Sequence, residues 1–226
     1  MLDEIAPARP YRTKEEYIYG LLRSAILHCQ IAPGERLVMD QLTRVFGVSA
    51  IPIRSALQRL QVEGLVNIVP HAGAVVSSIS IDMVAEIFAI LEALEGVAFR
   101  FAAQRAQESD LAALEQCLKA TEQACLEGDV ERWSDLNSKF HLMVAEVAGM
   151  DLLLELTRRT LDYWERIRRH YLREMGSDVL TAQAEHREML VLLANGRADE
   201  LAALVTQHNR RARCYYLRVM SSPKGS

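Results

Sequence analysis

The sequence predicts a mainly α protein of two units: an N-terminal winged helix-turn-helix over residues 1–78, then an all-α helical bundle of about six helices over 79–226. Three observations carry this reading. Two helical patterns flank a Gly-containing tight turn in "VFGVSAIP", and a β-rich stretch broken by a Pro-His-Ala-Gly turn follows closely. From Ser80 onward β patterning gives way to helical periodicity, interrupted only by short Gly, Asp and Ser stops. A chain of 226 residues can build a core in each of two units.

Taken in order, Thr13 followed by Glu16 is a capping-box pair, and Tyr17, Ile18, Leu21, Leu22, Ala25 and Ile26 then recur at helical spacing up to His28. "IAPGERL" reads as a Pro-Gly connector. In "VMDQLTRVF" Leu42, Val45 and Phe46 fall on one face, and Gly47 stands where a helix ends on a left-handed residue. Ser49 is placed to cap the next helix, and Pro52 falls in its first turn, where a missing N–H costs nothing. Ile53, Leu57 and Leu60 give that helix its apolar face before Gly64 stops it. Leu65 to Val69 and Ala74 to Ile79 are the two arms of a hairpin wing. Further on, helices are expected near 81–105, 109–127, 130–148, 151–175, 178–195 and 198–220, and their short connections imply antiparallel neighbours.

Composition bounds the function. No apolar run approaches the roughly 18 residues of a membrane span, and "MLDEIAPARPYRTKEE" lacks the apolar centre of a secretory signal, so a cytoplasmic protein is expected. Cys29, Cys117, Cys125 and Cys214 are scattered without a C-x-x-C pair, which argues for reduced, mostly buried thiols. Net charge is −4, divided as +1 over residues 1–78 and −5 over the rest. Contact with nucleic acid therefore rests on a local patch, and Arg36, Arg44, Arg54 and Arg59 of the first unit supply one.

In the second unit "DLNSKFHLMV" sets Asn137 and His141 four residues apart on one helical face, beside Leu136, Phe140 and Val144. His186 in "AEHREML" and His208 in "VTQHNRR" lie centrally in later helices. If those helices pack together, three imidazoles and one amide converge in the bundle interior, where facing helices build metal sites. His28 and His71 belong to the first unit, and His170 sits in a charged run.

"PGERL", "LTRVFGVSAIPIRSALQRLQVEGLV" and "PHAGAVV" resemble the DNA-binding domain of GntR-family transcription regulators, and "LNSKFHLMV", "AEHREML" and His208 resemble the FCD ligand-binding domain of the FadR-type subfamily in its six-helix, VanR-like form. The resemblance implies that Arg44 sits near the DNA backbone, that Arg54 enters the major groove, and that Gly73 lets the wing approach the minor groove. The candidate DNA-contacting residues are thus Arg44, Ser49, Arg54, Arg59, His71 and Gly73. It further implies that Asn137, His141, His186 and His208 hold a divalent metal, zinc or nickel, with a small carboxylate effector completing the coordination. Four positions depart from the family pattern. Ala50 replaces an Arg and Ser55 a Glu, so the operator should differ from the usual one. Asn137 replaces the commoner Asp and leaves the site neutral, and Leu91 stands where many members carry a carboxylate-binding Arg. Arg158, Arg159, Arg166 and Arg168 are the alternatives for that last role.

The expected function is a homodimeric, ligand-responsive regulator, a repressor on a pseudo-palindromic operator, because one helix-turn-helix reads only a short half-site. A metal-sensing regulator is the alternative. A metal-dependent hydrolase is the reading from another class, and it lacks a general base. There is no H-E-x-x-H, and Glu185 and Glu188 flank His186 at helical angles that point away from it.

Overall fold

The Thr13 hydroxyl accepts from the Glu16 N–H at 3.1 Å while the Glu16 carboxylate accepts from the Thr13 N–H at 2.9 Å, a complete capping box that starts α1 (Lys14–Leu27). The computed structural model describes residues 13–70, 73–171 and 178–221, and the chain divides into two units, Met1–Ser78 and Ile79–Ser226. In the first unit Ile18, Leu22 and Ile26 of α1 pack on Ile53, Leu57 and Leu60 of α3 (Ala50–Val62), all essentially sealed from solvent. The buried stripe of α1 is narrower than its apolar pattern, for Tyr17 and Leu21 are exposed.

Between these helices lies α2 (Met39–Phe46), ended by Gly47 at φ 61°. Only Leu42 of its apolar face is buried, and Val45 is 77% exposed, because so short a helix presents one turn to the core. Ser49 occupies the N-cap position of α3, yet its hydroxyl makes no cap hydrogen bond. The expected cap is therefore one of backbone conformation alone.

The hairpin of β2 (Val66–Val69) and β3 (Gly73–Val76) is joined by a strand that the sequence reading treated as connector and helix start. Arg36–Val38 forms β1 and pairs with β3, giving an antiparallel sheet in the order β1-β3-β2. Three residues carry no period-2 pattern of their own; the edge of β3 recruits them, a tertiary effect that local reading misses. The reason for a glycine at 73 also differs from a groove approach. Gly73 is buried at φ +120°, and a Cβ there would meet the Leu37 carbonyl oxygen at 2.0 Å. His71 lies outside the described residues.

The second unit comprises α4 (Ile81–Arg105), α5 (Glu108–Glu127), α6 (Val130–Val147), α7 (Asp151–His170), α8 (Asp178–Ala194) and α9 (Ala198–Ser221). Ser80 and Asp129 cap α4 and α6 through their side chains, and Gly128 ends α5 in the left-handed region. The α7 helix runs to His170 with Tyr171 as its C-cap, and residues 172–175 of the expected helix lie outside the described residues. Helices α4 and α9 pack along their length, α6 lies against α4, α5 and α7, and α8 against α5 and α9. Two apolar clusters result. One gathers Phe99, Leu118, Phe140, Met189 and Val205, the other Phe88, Leu91, Trp133, Trp164 and Tyr216. None of the four cysteines forms a disulfide, but only Cys117 is buried and Cys214 is exposed, so the expectation of mostly buried thiols fails for the others. Among the described residues no helix is long and apolar enough to cross a membrane.

Candidate functional site

Two groups of polar residues stand out, one in each unit. In the first, Arg54 projects from α3 and lines a cleft of about 310 Å³ between that helix and the β2–β3 hairpin, with Met39, Gln58, Pro70 and Gly73 around it. Arg54 is exposed and has no partner among the described residues. Arg44, in the last turn of α2, is exposed too and spends only its Nε, on the Asp40 carbonyl at 3.2 Å. Ser49 is exposed with an uncommitted hydroxyl at the helix N-terminus, a position suited to a phosphate. Arg59 is turned elsewhere. Its guanidinium lies 3.9 Å from the Tyr19 ring centroid and 3.6 Å from Glu15, so it braces α3 against α1 instead of facing the cleft.

In the second unit the buried stripe of α6 reads Trp133, Asn137, Phe140, His141 and Val144, and each of α8 and α9 carries one histidine on its own buried stripe. Helix packing brings His141, His186 and His208 together. One ring nitrogen from each lies within 4.8 Å of the other two, and His141 Nε2 is 3.2 Å from His186 Nε2. All three are buried, ringed by Phe99, Phe140 and Trp164. Asn137 is also buried, one turn before His141, and its Nδ2 has no hydrogen-bond partner.

Behind the imidazoles stand carboxylates. Glu185 Oε2 accepts from His208 Nδ1 at 2.6 Å and is itself gripped by Arg211 at 2.7 and 2.8 Å. Glu95 Oε1 lies 2.9 Å from His141 Nδ1, an ion-pair distance off hydrogen-bond alignment, and its other oxygen accepts from Asn209 Nδ2 at 2.7 Å. A proton held on Nδ1 by a carboxylate leaves the lone pair on Nε2, which is the tautomer a metal requires. Burial pushes His186 well below the ordinary histidine range, helped by His208 and His141. Burial also lowers His208, against the opposing pull of Glu185. Burial works to raise Glu95, but His141 and the Asn209 amide outweigh it and hold the carboxyl low. For Glu185 burial is likewise outweighed, by hydrogen bonds from His208 and Arg211, and its carboxyl falls to about 2. Burial thus favours the neutral, metal-binding form of His186 and His208, and ionised carboxylates lie beside His141 and His208, a donor set that fits a divalent cation.

The carboxylates also correct the expectation of an electrically neutral site. Glu95 brings a negative charge within one side chain of the histidines, while that of Glu185 is paired with Arg211. Glu185 does point away from His186, as its helical angle requires, but it reaches His208 on the neighbouring helix. Of the arginines weighed for the place of Leu91, Arg158 and Arg159 are exposed, whereas Arg166 and Arg168 are buried. Leu91 itself is core, in the cluster with Phe88 and Trp164.

Comparison with known proteins bears on both groups. Residues 14–76 match the model of bacterial regulatory proteins of the gntR family, and residues 86–211, more than half the chain, match the FCD domain. The chain belongs to the GntR family. It is 28% identical over 199 residues to the HTH-type transcriptional repressor RspR of Escherichia coli K12, covering 88% of this chain and 87% of that protein. It is 30% identical over 183 residues to the HTH-type transcriptional regulator YdhC of Bacillus subtilis, with coverage of 80% and 77%. Among solved structures, E. coli McbR/YncC superposes with a TM-score of 0.78 at 21% identity, over 93% of this chain and all of that one, which supports the fold. This GntR regulator is thus a DNA-binding transcriptional regulator and not an enzyme, and the hydrolase reading is set aside.

Glu95, Glu185 and Asn209 were not singled out by sequence reading as part of this regulator's site. The clue for Glu95 was present: it follows Val84, Ile87, Phe88 and Leu91 at core spacing on α4, a carboxylate in line with an apolar stripe.

Proposed function

We propose that the FCD domain holds a divalent metal, zinc or nickel, on His141, His186 and His208 with Asn137 as the fourth protein ligand, and that a small carboxylate effector completes the coordination. The convergence of three buried imidazole nitrogens within 4.8 Å carries this reading. Three polar side chains of one kind do not gather in a dry core without a shared partner, because each lone pair left unmet costs about 1–3 kcal/mol. The bound metal supplies a Lewis-acidic anchor for carboxylate oxygens. His141 and His208 are oriented by Glu95 and Glu185, and the apolar ring of Phe99, Phe140 and Trp164 excludes water.

The effector-loaded domain then biases the spacing of two winged helices in a homodimer, and the change in operator affinity equals the effector's differential affinity for the two arrangements. Repression of a pseudo-palindromic operator, relieved by the effector, is the sign adopted, and RspR, named a repressor, supports it. Operator binding places the protein with the DNA, in the cytoplasm of a bacterial cell. A metal acting as the signal in its own right suits this donor set less well, since no thiolate joins it.

Elemental analysis of the purified protein beside His141→Ala/His186→Ala tests the reading. Near-stoichiometric zinc or nickel in the first and none in the second is expected. Equal, negligible metal in both after growth and dialysis with each ion would sink it.

A further inference from the structure

The interior next to the histidines holds several hydrogen-bond donors that have no acceptor among the described residues. Arg168 is fully buried on α7, with its guanidinium carbon 4.5 Å from the Trp164 ring centroid and 5.8 Å from that of Trp133. One terminal nitrogen, Nη2, donates to the Ser134 carbonyl, to Ser138 Oγ at 2.8 Å and to Glu165. Glu165 is shared with Arg169, which stands 2.7 Å from it. Arg168 Nε and Nη1 have no hydrogen-bond partner among the described residues, and neither do Trp133 Nε1, Trp164 Nε1 and Asn137 Nδ2. Every one of these atoms is a donor.

They also share a place. Trp133, Asn137 and His141 follow one another at four-residue steps on α6, and Trp164 and Arg168 do the same on the facing α7. Trp164 bridges the two groups, its ring centroid 5.8 Å from that of His141 and 4.5 Å from the guanidinium. Buried donors without acceptors call for an acceptor-rich guest, and a guanidinium among them calls for an anion. Of the two carboxylates beside the histidines, only Glu95 is left to face a metal, because Glu185 is already paired with Arg211.

We infer that Arg168, with the two indole N–H groups beside it, is the second anchor of the effector pocket, so that the effector is a small dicarboxylate with one end at the histidine cluster and the other on Arg168. This rests on the effector reading above and adds to it the residue that sets ligand class.

The chain has two tryptophans, and both flank Arg168, so intrinsic fluorescence reports on this pocket. Zinc-loaded full-length protein is titrated with succinate and with monomethyl succinate, whose second end is blocked. Succinate is expected to bind roughly tenfold or more tightly than the ester, and Arg168→Gln to abolish the preference while keeping its zinc and its melting profile. Arg168→Lys keeps the charge and the stem, and an intermediate preference is expected of it, which serves if the Gln variant does not fold. Equal binding of the two acids to the wild type, or an undiminished preference for succinate in both variants, overturns the inference and leaves the carboxylate reading standing. Binding of neither acid overturns both.

Discussion

Two of the three imidazoles, His141 and His208, have a carboxylate behind them. Glu95 fixes the Nδ1 side of His141, so Glu95→Gln is expected to lower zinc affinity by about 10–100-fold, read by competition with a chelating dye, while the protein stays folded. His186 and His208 are held below the ordinary histidine range by burial. Below about pH 6.5 the unfolded chain therefore takes up protons that these folded imidazoles refuse. Stability of the metal-free protein is present above that pH and is lost as pH falls from about 6.5 toward the depressed folded values. The chelated protein should thus melt at progressively lower temperature from pH 7 to pH 5. A melting temperature flat over that window would show the histidines to be solvated. In the first unit, Gly73→Ala forces a Cβ onto the Leu37 carbonyl at positive φ and should cost about 2 kcal/mol or more in a denaturant melt of the full chain.

At the scale of elements, the first unit works through the angle between α3 and the β2–β3 hairpin. Arg54 stands in that cleft and Arg59 does not. Arg54→Ala should weaken binding to a selected duplex by about 1–3 kcal/mol, whereas Arg59→Ala should leave that affinity within a few-fold and lower the melting temperature. Anisotropy with a labelled duplex separates the two outcomes. How legible these elements were in the sequence follows from the range of the forces that set them. The α6 helix announced itself through its apolar stripe, and α1 through its capping box, because caps and periodicity are local. The β1 strand did not, since three residues pair only when β3 is already beside them. The histidines could be picked out because imidazoles at core positions are conspicuous. Glu95 escaped notice, and Glu185 was weighed only against His186 on its own helix, because an acidic residue on a helix is ordinary until the packing of α4 on α6 and of α8 on α9 shows which face it occupies. Arg168 lay in a charged run, "RRTLDYWERIRRH", that reads as solvated surface; its complete burial is a property of the bundle and of the two indoles that cover it.

For the whole molecule the charge division has a consequence of its own. The DNA-binding unit carries only +1 within a chain of −4, so attraction to phosphates is local and few counterions are released. Affinity for a selected duplex should then fall with a shallow salt slope, of the order of the few phosphates that a local patch neutralises. On the proposed reading, the second unit converts occupation of the buried cluster into a change at that surface. The coupling available to such a device is about 1–3 kcal/mol, or roughly 5–150-fold in affinity. The most direct measurement is therefore the dissociation constant for a duplex selected from a random pool, taken for the chelated protein and again with zinc and succinate, in the wild type and in His141→Ala/His186→Ala. The account predicts a shift of at least about fivefold in the wild type and none in the variant. Identical constants in every state would show that the histidine cluster does not speak to the DNA-binding unit.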